Sequence, residues 1–181
     1  MALTESSQKL KRGDSAPDFS LKGVDDKNYS LPDFKNKEGL LVIFMCNHCP
    51  YVRAKIPAIV ELHKKWGDKI AFLGINSNDP NYEGEGMENM KIFAKERGID
   101  FPYVFDETQE TAKAYGATCT PDPFLFDKDF KLVFHGRIDD AMGPGEAAKE
   151  HTMEENISKL LSNEAISDEF KPSMGCSIKW K

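Results

Sequence analysis

Residues 39–52, GLLVIFMCNHCPYV, contain the main structural signals of the sequence. Gly39 to Met45 form a continuous apolar run, which is typical of a strand buried on both faces. Pro50 suits the first position of a helix, where its missing N–H costs no hydrogen bond. Cys46 and Cys49 lie between the run and this expected helix. The stretch therefore predicts a buried strand, a two-cysteine turn and a helix in direct succession.

The start of that helix favours an ionised thiol. Its first turn has unpaired N–H groups and the positive end of the helix dipole, so the pKa of a thiol there falls. If Pro50 is the first helical residue, Cys49 is the N-cap and the better-stabilised thiolate. Cys46 is then close enough to form a disulfide with it. His48 lies between the two cysteines and either adds to this stabilisation or is a solvated turn residue.

The composition is that of one ordinary globular domain. The chain has 181 residues, of which 40% are hydrophobic and 30% are charged, and this length allows a substantial core. A formal net charge of −6 argues against nucleic acid or an anionic membrane as the main partner. No apolar run is long enough to span a bilayer, and residues 1–19 lack the apolar segment of a signal peptide. We therefore expect a cytoplasmic protein, in which a close cysteine pair is more often catalytic or metal-binding than structural.

Periodicity predicts an alternation of strands and helices along the rest of the chain. Predicted strands cover 16–21, 29–31, 39–45, 69–76, 103–105, 124–126 and 132–134, and predicted helices cover 50–66, 87–97, 108–115 and 146–161. This order implies an α/β three-layer sandwich with a mixed central sheet, an N-terminal β-hairpin and a C-terminal extension. We expect residues 1–12 to be flexible and residues 13–181 to form the single domain. The polar segment 76–86, NSNDPNYEGEG, is expected to be a solvated surface loop.

Three other motifs resemble the thioredoxin superfamily, and within it the redoxin branch that includes the peroxiredoxins. GDSAPDFSL (13–21) resembles the redoxin entry strand, and YGATCTPDPFLF (115–126) resembles the segment that carries a cis-proline. PSMGCSIKWK (172–181), taken with CNHCPYV, resembles peroxiredoxin-like, AhpC/TSA-related proteins with a CxxC motif. The resemblance implies a thioredoxin-like fold with its cis-proline at Pro121. It also implies that the backbone of Thr120 faces the active-site sulfurs.

The resemblance leaves two interpretations of the cysteine pair. A thioredoxin-type alignment makes Cys46 the nucleophile, whereas the peroxiredoxin-like alignment and the helix geometry both favour Cys49. In the second alignment Cys46 replaces the threonine that a typical peroxiredoxin uses to position peroxide, and Val42 replaces its proline. Arg53 and Arg137 are both candidates for the arginine of a typical peroxiredoxin. We therefore assign Cys49 as the nucleophile and Cys46 as the resolving thiol, and we expect peroxidase activity to be secondary.

The presence of two further cysteines, Cys119 and Cys176, leaves other interpretations open. Cys46, Cys49, Cys119 and Cys176 could together bind zinc, although Cys119 and Cys176 do not form a second CxxC. Cys119, beside the expected cis-proline, is either a small buried residue or a third redox thiol. Cys176 is a packing residue of the tail or a distant resolving cysteine. We predict that the protein needs no bound cofactor and no metal.

The sequence thus predicts a thiol–disulfide oxidoreductase with an antioxidant or redox-homeostasis role. Its expected partners are a protein or small-molecule disulfide and an external thiol reductant. The first alternative is a peroxidase, in which hydroperoxide oxidises Cys49 and Cys46 condenses with the resulting sulfenic acid. The second is a non-catalytic zinc-binding or interaction module.

Overall fold

The computed structural model describes residues 3–141, 143, 145–167 and 169–181. It is a three-layer α/β sandwich, as the sequence predicts, with a central mixed sheet between two layers of helices. The strands are β1 (Leu3–Glu5), β2 (Ser20–Gly23), β3 (Asn28–Ser30), β4 (Gly39–Phe44), β5 (Ile70–Asn76), β6 (Tyr103–Phe105), β7 (Cys119–Thr120), β8 (Asp122–Asp127), β9 (Leu132–His135) and β10 (Met174–Ser177). The helices are α1 (Pro50–Trp66), α2 (Met87–Arg97), α3 (Glu110–Tyr115) and α4 (Thr152–Leu161), with a short 3-10 helix at Leu31–Phe34.

The central sheet has the order β3-β2-β6-β5-β4-β8-β9. Its middle strand β4 pairs in parallel with β5 and antiparallel with β8. Every residue of β4 is buried, because helices cover both faces of the sheet. The apolar run that predicted this strand is therefore explained by burial on both sides.

The two faces of β4 supply two separate cores. Leu41, Ile43 and Met45 pack with the apolar faces of α1, α2 and α4. Leu40 and Phe44 pack on the other face, with α3 and the 3-10 helix. This alternation follows from the two-residue period of a strand. It fixes the direction in which the chain leaves β4 and enters the cysteine turn.

A second, smaller sheet was not predicted. It has the order β1-β10-β7, and both of its pairings are antiparallel. Leu3–Glu5 lie inside the segment expected to be flexible, so that expectation is corrected for these three residues. Three residues are too few to show a strand pattern. Their partner strand, Met174–Ser177, lies at the opposite end of the sequence, so the pairing could not be predicted either. The C-terminal extension is the middle strand of this sheet.

Two predicted boundaries differ from the structure by more than two residues. The last helix was predicted from 146, but α4 begins at Thr152. The carboxylate of Asp140 accepts hydrogen bonds from the backbone N–H groups of Lys149 and Glu150, which holds this part of the chain outside the helix. The first strand of the hairpin begins at Ser20 rather than at 16.

Helix α2 matches its predicted bounds and ends at Gly98, which adopts the left-handed conformation that favours glycine. In the part of the chain that the structure describes, no helix combines the length and apolar character needed to cross a bilayer.

Candidate active site

Four segments meet at the amino end of α1. Cys46 follows β4, and Cys49 is the N-cap of α1 with Pro50 as the first helical residue, as predicted. The segment before the cis Thr120–Pro121 bond approaches from β7. Strand β10 lies beside it, with Cys176 opposite Thr120 in the register. The structure thus confirms the cis-proline and brings three of the four cysteines to one point.

The sulfur atoms lie in a buried row. Cys49 Sγ lies 2.8 Å from Cys176 Sγ and 3.4 Å from the carbonyl oxygen of Thr120. Cys46 Sγ lies 3.2 Å from the hydroxyl oxygen of Thr120. Cys46 and Cys49 are 0% exposed, and Cys176 is 2% exposed. The predicted pair is therefore a trio, and Cys49 is its central member.

The pKa of Cys49 is lowered to about 5. The largest cause is a hydrogen bond from the Cys46 thiol, and burial opposes it. Hydrogen bonds from the Cys176 thiol and from the backbone N–H of Val52 lower the pKa further. The amide contribution is the helix-terminus effect predicted from the sequence, but the neighbouring thiol contributes more. Cys49 is accordingly the anionic sulfur at neutral pH, and its assignment as the nucleophile stays a prediction.

The other three thiols shift in the opposite direction. Burial raises the pKa of Cys46 well above its usual value, and its bond to Cys49 and the charge of Glu85 add to this. Burial, with the bond to Cys49, raises the pKa of Cys176 to about 12. Burial and the nearby Asp122 carboxylate raise the pKa of Cys119. One anion is therefore shared by two protonated donors, Cys46 and Cys176.

His48 takes part in the site through Glu85. Oε1 of Glu85 accepts hydrogen bonds from the backbone N–H groups of Asn47 and His48, each at 3.1 Å, and it also contacts Nδ1 of His48. Oε2 accepts a hydrogen bond from the side-chain amide of Asn76 at 2.7 Å. Burial alone would raise the pKa of Glu85, but the bonds from His48 and Asn76 outweigh it and leave the pKa lowered. A buried carboxylate thus holds the backbone of the cysteine turn.

Glu85 corrects the expectation of a solvated loop at 76–86. Asn76, Ser77, Asn78 and Glu85 in this segment are all buried, although its middle residues are exposed. The loop folds back because its carboxylate satisfies two N–H groups that the cysteine turn leaves without other partners. Sequence reasoning missed this residue, since one Glu in a polar loop has no periodic or motif signal.

The turn is also fixed from its other side. The Tyr103 hydroxyl donates to the side-chain oxygen of Asn47 at 2.9 Å, and Arg53 Nε donates to the Asn47 carbonyl at 2.8 Å. Arg137, the other candidate arginine, instead bonds Thr152 and Glu150. Among the hydrogen bonds of the described residues, neither arginine donates to a cysteine sulfur. Arg53 positions the turn.

The described residues contain one group whose ligand atoms could hold a metal ion, namely Cys46, His48 and Glu85, all within 4.8 Å of one another. The buried Nε2 of His48 has no hydrogen-bond partner among the described residues. However, Glu85 Oε1 already accepts from two N–H groups and contacts His48, and the high pKa of Cys46 disfavours its thiolate. The four-cysteine zinc site, which the sequence analysis left open as an alternative, is not among the metal-ligand groups of the described residues.

Cys119 and Cys176 were both given as possible redox residues, and the structure separates them. Cys176 contacts Cys49, whereas Cys119 is completely buried in β7, where it pairs with Ser177 across the register. The position of Cys176 could not be read from the sequence, because the chain offers no spacing rule between residues 49 and 176. Its only signal is a Gly-Cys step in a short β-like segment.

Comparisons with known proteins identify the family and its relatives. The model of the AhpC/TSA family matches residues 12–135, more than half of the chain. The thiol-disulfide oxidoreductase ResA of Bacillus thuringiensis subsp. konkukian is 28% identical over 154 residues, covering 84% of this chain and 80% of that protein. The chloroplastic peroxiredoxin Q of Gentiana triflora is 28% identical over 111 residues, covering 60% of this chain and 47% of that protein.

Solved structures extend the likeness over the whole chain. An uncharacterized conserved protein from Geobacillus kaustophilus is 40% identical, with a TM-score of 0.94, and the match covers 100% of this chain and 97% of that one. The thioredoxin domain of a thiol-disulfide oxidoreductase from Bacteroides vulgatus is 23% identical, with a TM-score of 0.61 and coverage of 70% and 89%. The second likeness shows a thioredoxin-like fold.

Proposed function

Because the chain belongs to the AhpC/TSA family, we propose that this oxidoreductase catalyses thiol–disulfide exchange through a Cys46–Cys49 dithiol/disulfide cycle. The observation that carries the proposal is the opposite shift of the two pKa values. Cys49 is an anion at neutral pH, and Cys46 beside it is a protonated thiol. A nucleophile and a resolving thiol need this division of roles.

The cycle follows from the geometry. The Cys49 thiolate attacks one sulfur of a substrate disulfide, forms a mixed disulfide and expels the first substrate thiolate. The Cys46 thiol then attacks the Cys49 sulfur, its proton passes to the departing substrate sulfur, and the second substrate group leaves as a thiol. An external thiol donor reduces the Cys46–Cys49 disulfide that results. The substrate gains two electrons and the donor supplies them, so the cycle needs no bound cofactor.

Thr120 and Pro121 complete the site in this proposal. The backbone carbonyl oxygen of Thr120 lies 3.4 Å from Cys49 Sγ, and its side-chain hydroxyl lies 3.2 Å from Cys46 Sγ. That contact lowers the pKa of Cys46, against the larger raising effect of burial. Thr120 therefore assists the resolving step, whereas His48 acts through Glu85 on the shape of the turn.

The test is the reduction of a model protein disulfide, such as insulin, with dithiothreitol as the electron donor. We expect the wild-type protein to accelerate the reaction and Cys49→Ser to abolish the acceleration. Cys46→Ser should accumulate a mixed disulfide at Cys49. Cys119→Ser is the matched control, since it changes another buried cysteine and should retain activity. Activity that survives in Cys49→Ser would overturn the proposal.

A second candidate function, peroxide reduction, is favoured by membership of the AhpC/TSA family. Hydroperoxide would oxidise Cys49 to a sulfenic acid, which Cys46 would convert to the same disulfide with loss of water. Against it, Cys46 stands where a peroxidase would use threonine, and Arg53 bonds the Asn47 carbonyl. Stopped-flow oxidation with hydrogen peroxide decides between the two: a fast second-order reaction at Cys49 would favour the peroxidase.

The cellular setting is also part of the proposal. We expect a cytoplasmic protein that acts on protein thiols and contributes to antioxidant defence, on the composition and cysteine arguments given above. Cell fractionation with an antibody to the native protein tests the location. Recovery with the membrane or extracellular fraction would contradict it.

A further inference from the structure

We propose that Cys176 is a second resolving thiol for Cys49, delivered by strand β10, which occupies the edge of Thr120 where an extended substrate would pair. The proposal rests on the function above, because it needs Cys49 to be the attacking sulfur. It goes beyond that function by assigning a chemical role to the C-terminal strand. It also explains why the nucleophile is fully buried.

The first observation is the proximity of the two sulfurs. They lie 2.8 Å apart, whereas the carbonyl oxygen of Thr120 lies 3.4 Å from Cys49 Sγ. A disulfide has its sulfurs about 2.05 Å apart, so a bond needs only a small further approach. The thiol of Cys176 therefore already lies beside Cys49 when β10 is paired with β7.

The second observation is the way in which β10 is held. It pairs antiparallel with β7, and Cys176 lies opposite Thr120, the residue before the cis-proline. On its other side β10 pairs with β1, where Cys176 lies opposite Leu3. Added strands at a sheet edge are a common mode of peptide recognition. The tail thus stands in the position of a peptide whose cysteine meets the enzyme's sulfur.

The third observation is Gly175. A Cβ placed on Gly175 would lie 1.9 Å from the carbonyl oxygen of Thr120 and 2.7 Å from its carbonyl carbon. Only glycine therefore allows β10 to approach β7 this closely. Gly175, the residue before Cys176, therefore allows β10 to pack against the site.

Hydrogen bonds beyond β10 restrict the tail further. The backbone N–H of Lys179 donates to the side chain of Asn78 at 2.8 Å, and its carbonyl accepts from Asp79 N–H at 2.8 Å and from the side-chain amide of Gln109 at 2.9 Å. The tail is fixed on both sides of Cys176. This restraint raises the effective concentration of the thiol at Cys49.

The chemistry balances without any further reactant. The Cys49 thiolate attacks a small-molecule disulfide such as oxidised glutathione and releases one glutathione thiolate. The Cys176 thiol then attacks the Cys49 sulfur of the mixed disulfide, its proton passes to the second glutathione as this leaves, and a Cys49–Cys176 disulfide remains. Two cysteine sulfurs are oxidised and one glutathione disulfide is reduced to two thiols. Cys46 and Cys176 compete for this step in the wild-type protein.

Trypsin separates the relevant cysteines, which makes the test direct. Cys46 and Cys49 share the peptide 38–53, Cys119 lies in 114–128, and Cys176 lies in 160–179, because trypsin does not cleave the Lys171–Pro172 bond. In Cys46→Ser treated with oxidised glutathione, acid-quenched and mapped without reduction, we expect peptides 38–53 and 160–179 to be linked. In Cys46→Ser/Cys176→Ser the glutathione adduct on Cys49 should persist. Cys46→Ser/Cys119→Ser is the matched control and should give the same link as Cys46→Ser.

A second variant tests the role of the strand while leaving every cysteine in place. Gly175→Ala should push β10 from β7, so in the Cys46→Ser background the cross-linked fraction should fall at least several-fold. In the same variant a bulky aromatic disulfide should react faster with Cys49, because the displaced strand β10 no longer covers the sulfur. Ser177→Ala, in the same strand but without a new atom directed at Thr120, should change neither quantity.

The outcomes distinguish the two proposals. A stable glutathione adduct on Cys49 with Cys176 free in Cys46→Ser would overturn the role of Cys176 and leave the Cys46–Cys49 cycle intact. A cross-link that is unchanged in Gly175→Ala would overturn the argument that β10 holds Cys176 beside Cys49. Failure of Cys49 to form any adduct, even in Cys46→Ser/Cys176→Ser, would overturn the proposed function and this inference with it.

Discussion

Replacement of Cys46 by Ala removes the hydrogen bond that contributes most to the low pKa of Cys49. A hydrogen bond to a charged group is worth about 1.5–3 kcal/mol, and one pKa unit corresponds to about 1.4 kcal/mol. The pKa of Cys49 should therefore rise by about one to two units from its value of about 5. It stays below that of a free thiol, because Cys176 and the Val52 N–H still donate.

The assay is alkylation of Cys49 by iodoacetamide as a function of pH, followed on the tryptic peptide 38–53. The midpoint of the curve is the quantity to compare, since thiolate nucleophilicity itself rises with pKa. With a Brønsted slope of 0.4–0.5, a shift of about 1.5 units raises the plateau rate about fivefold. A single rate at one pH would mix these two effects.

Cys46→Ser is the control for packing, because its hydroxyl can still donate to the anion. Its midpoint should lie between those of the wild-type protein and Cys46→Ala. If the midpoint in Cys46→Ala stays near that of the wild-type protein, the helix terminus and Cys176 suffice to set the pKa of Cys49. The argument that the resolving thiol activates the nucleophile would then be refuted.

Further predictions concern the potential, the turn and the pH dependence. The reduction potential of the Cys46–Cys49 pair, measured against glutathione, should lie between about −270 and −120 mV, because a pKa of about 5 falls between those of thioredoxin and DsbA; a more negative value would contradict this. Glu85→Ala should lose about 2–4 kcal/mol of unfolding free energy in urea, since two buried N–H groups lose their acceptor, whereas Glu83→Ala on the exposed part of the loop should lose almost none. Thr120→Val should slow decay of the mixed disulfide at Cys49, because loss of the hydroxyl raises the pKa of Cys46 further; unchanged decay in rapid-quench mapping would refute that role. Because folding lowers the pKa of Cys49, its thiolate should stabilise the folded protein fully above a pH of about 8.5, less as the pH falls, and not at all below about 5. The maximum contribution to the free energy of unfolding should be near 5 kcal/mol. Urea melts of the reduced protein, compared with those of Cys49→Ser, measure it.

Local signals predicted the parts of the site that depend on neighbouring residues. The run from Gly39 to Met45 predicted the buried central strand, and Pro50 predicted the start of α1 with Cys49 as its cap. The Thr120–Pro121 segment was recognised from the resemblance, and its cis bond is confirmed. These features follow from burial on two faces, the geometry of a helix terminus and a short motif. None of them requires knowledge of distant contacts.

The parts that escaped prediction all depend on long-range pairing. Glu85 reaches the cysteine turn from 37 residues away, and Cys176 reaches Cys49 from 127 residues away. A single sequence holds no periodicity that relates such positions. The exposed-loop expectation failed for the same reason, because the unpaired N–H groups that recruit Glu85 belong to a different segment of the chain. Polarity alone does not tell a solvated carboxylate from one that satisfies a buried backbone.

The tail also changes how the reactivity of Cys49 should be understood. A low thiol pKa usually accompanies partial exposure in a positive environment, yet Cys49 is completely buried. Its anion is tolerated because the thiols of Cys46 and Cys176 replace solvent as donors. Each donor is also a sulfur that can form a disulfide with Cys49. In the two proposals above, the groups that stabilise the Cys49 thiolate before reaction are therefore those that compete to resolve its mixed disulfide afterwards, and a substrate would have to displace β10 before it could pair with Thr120.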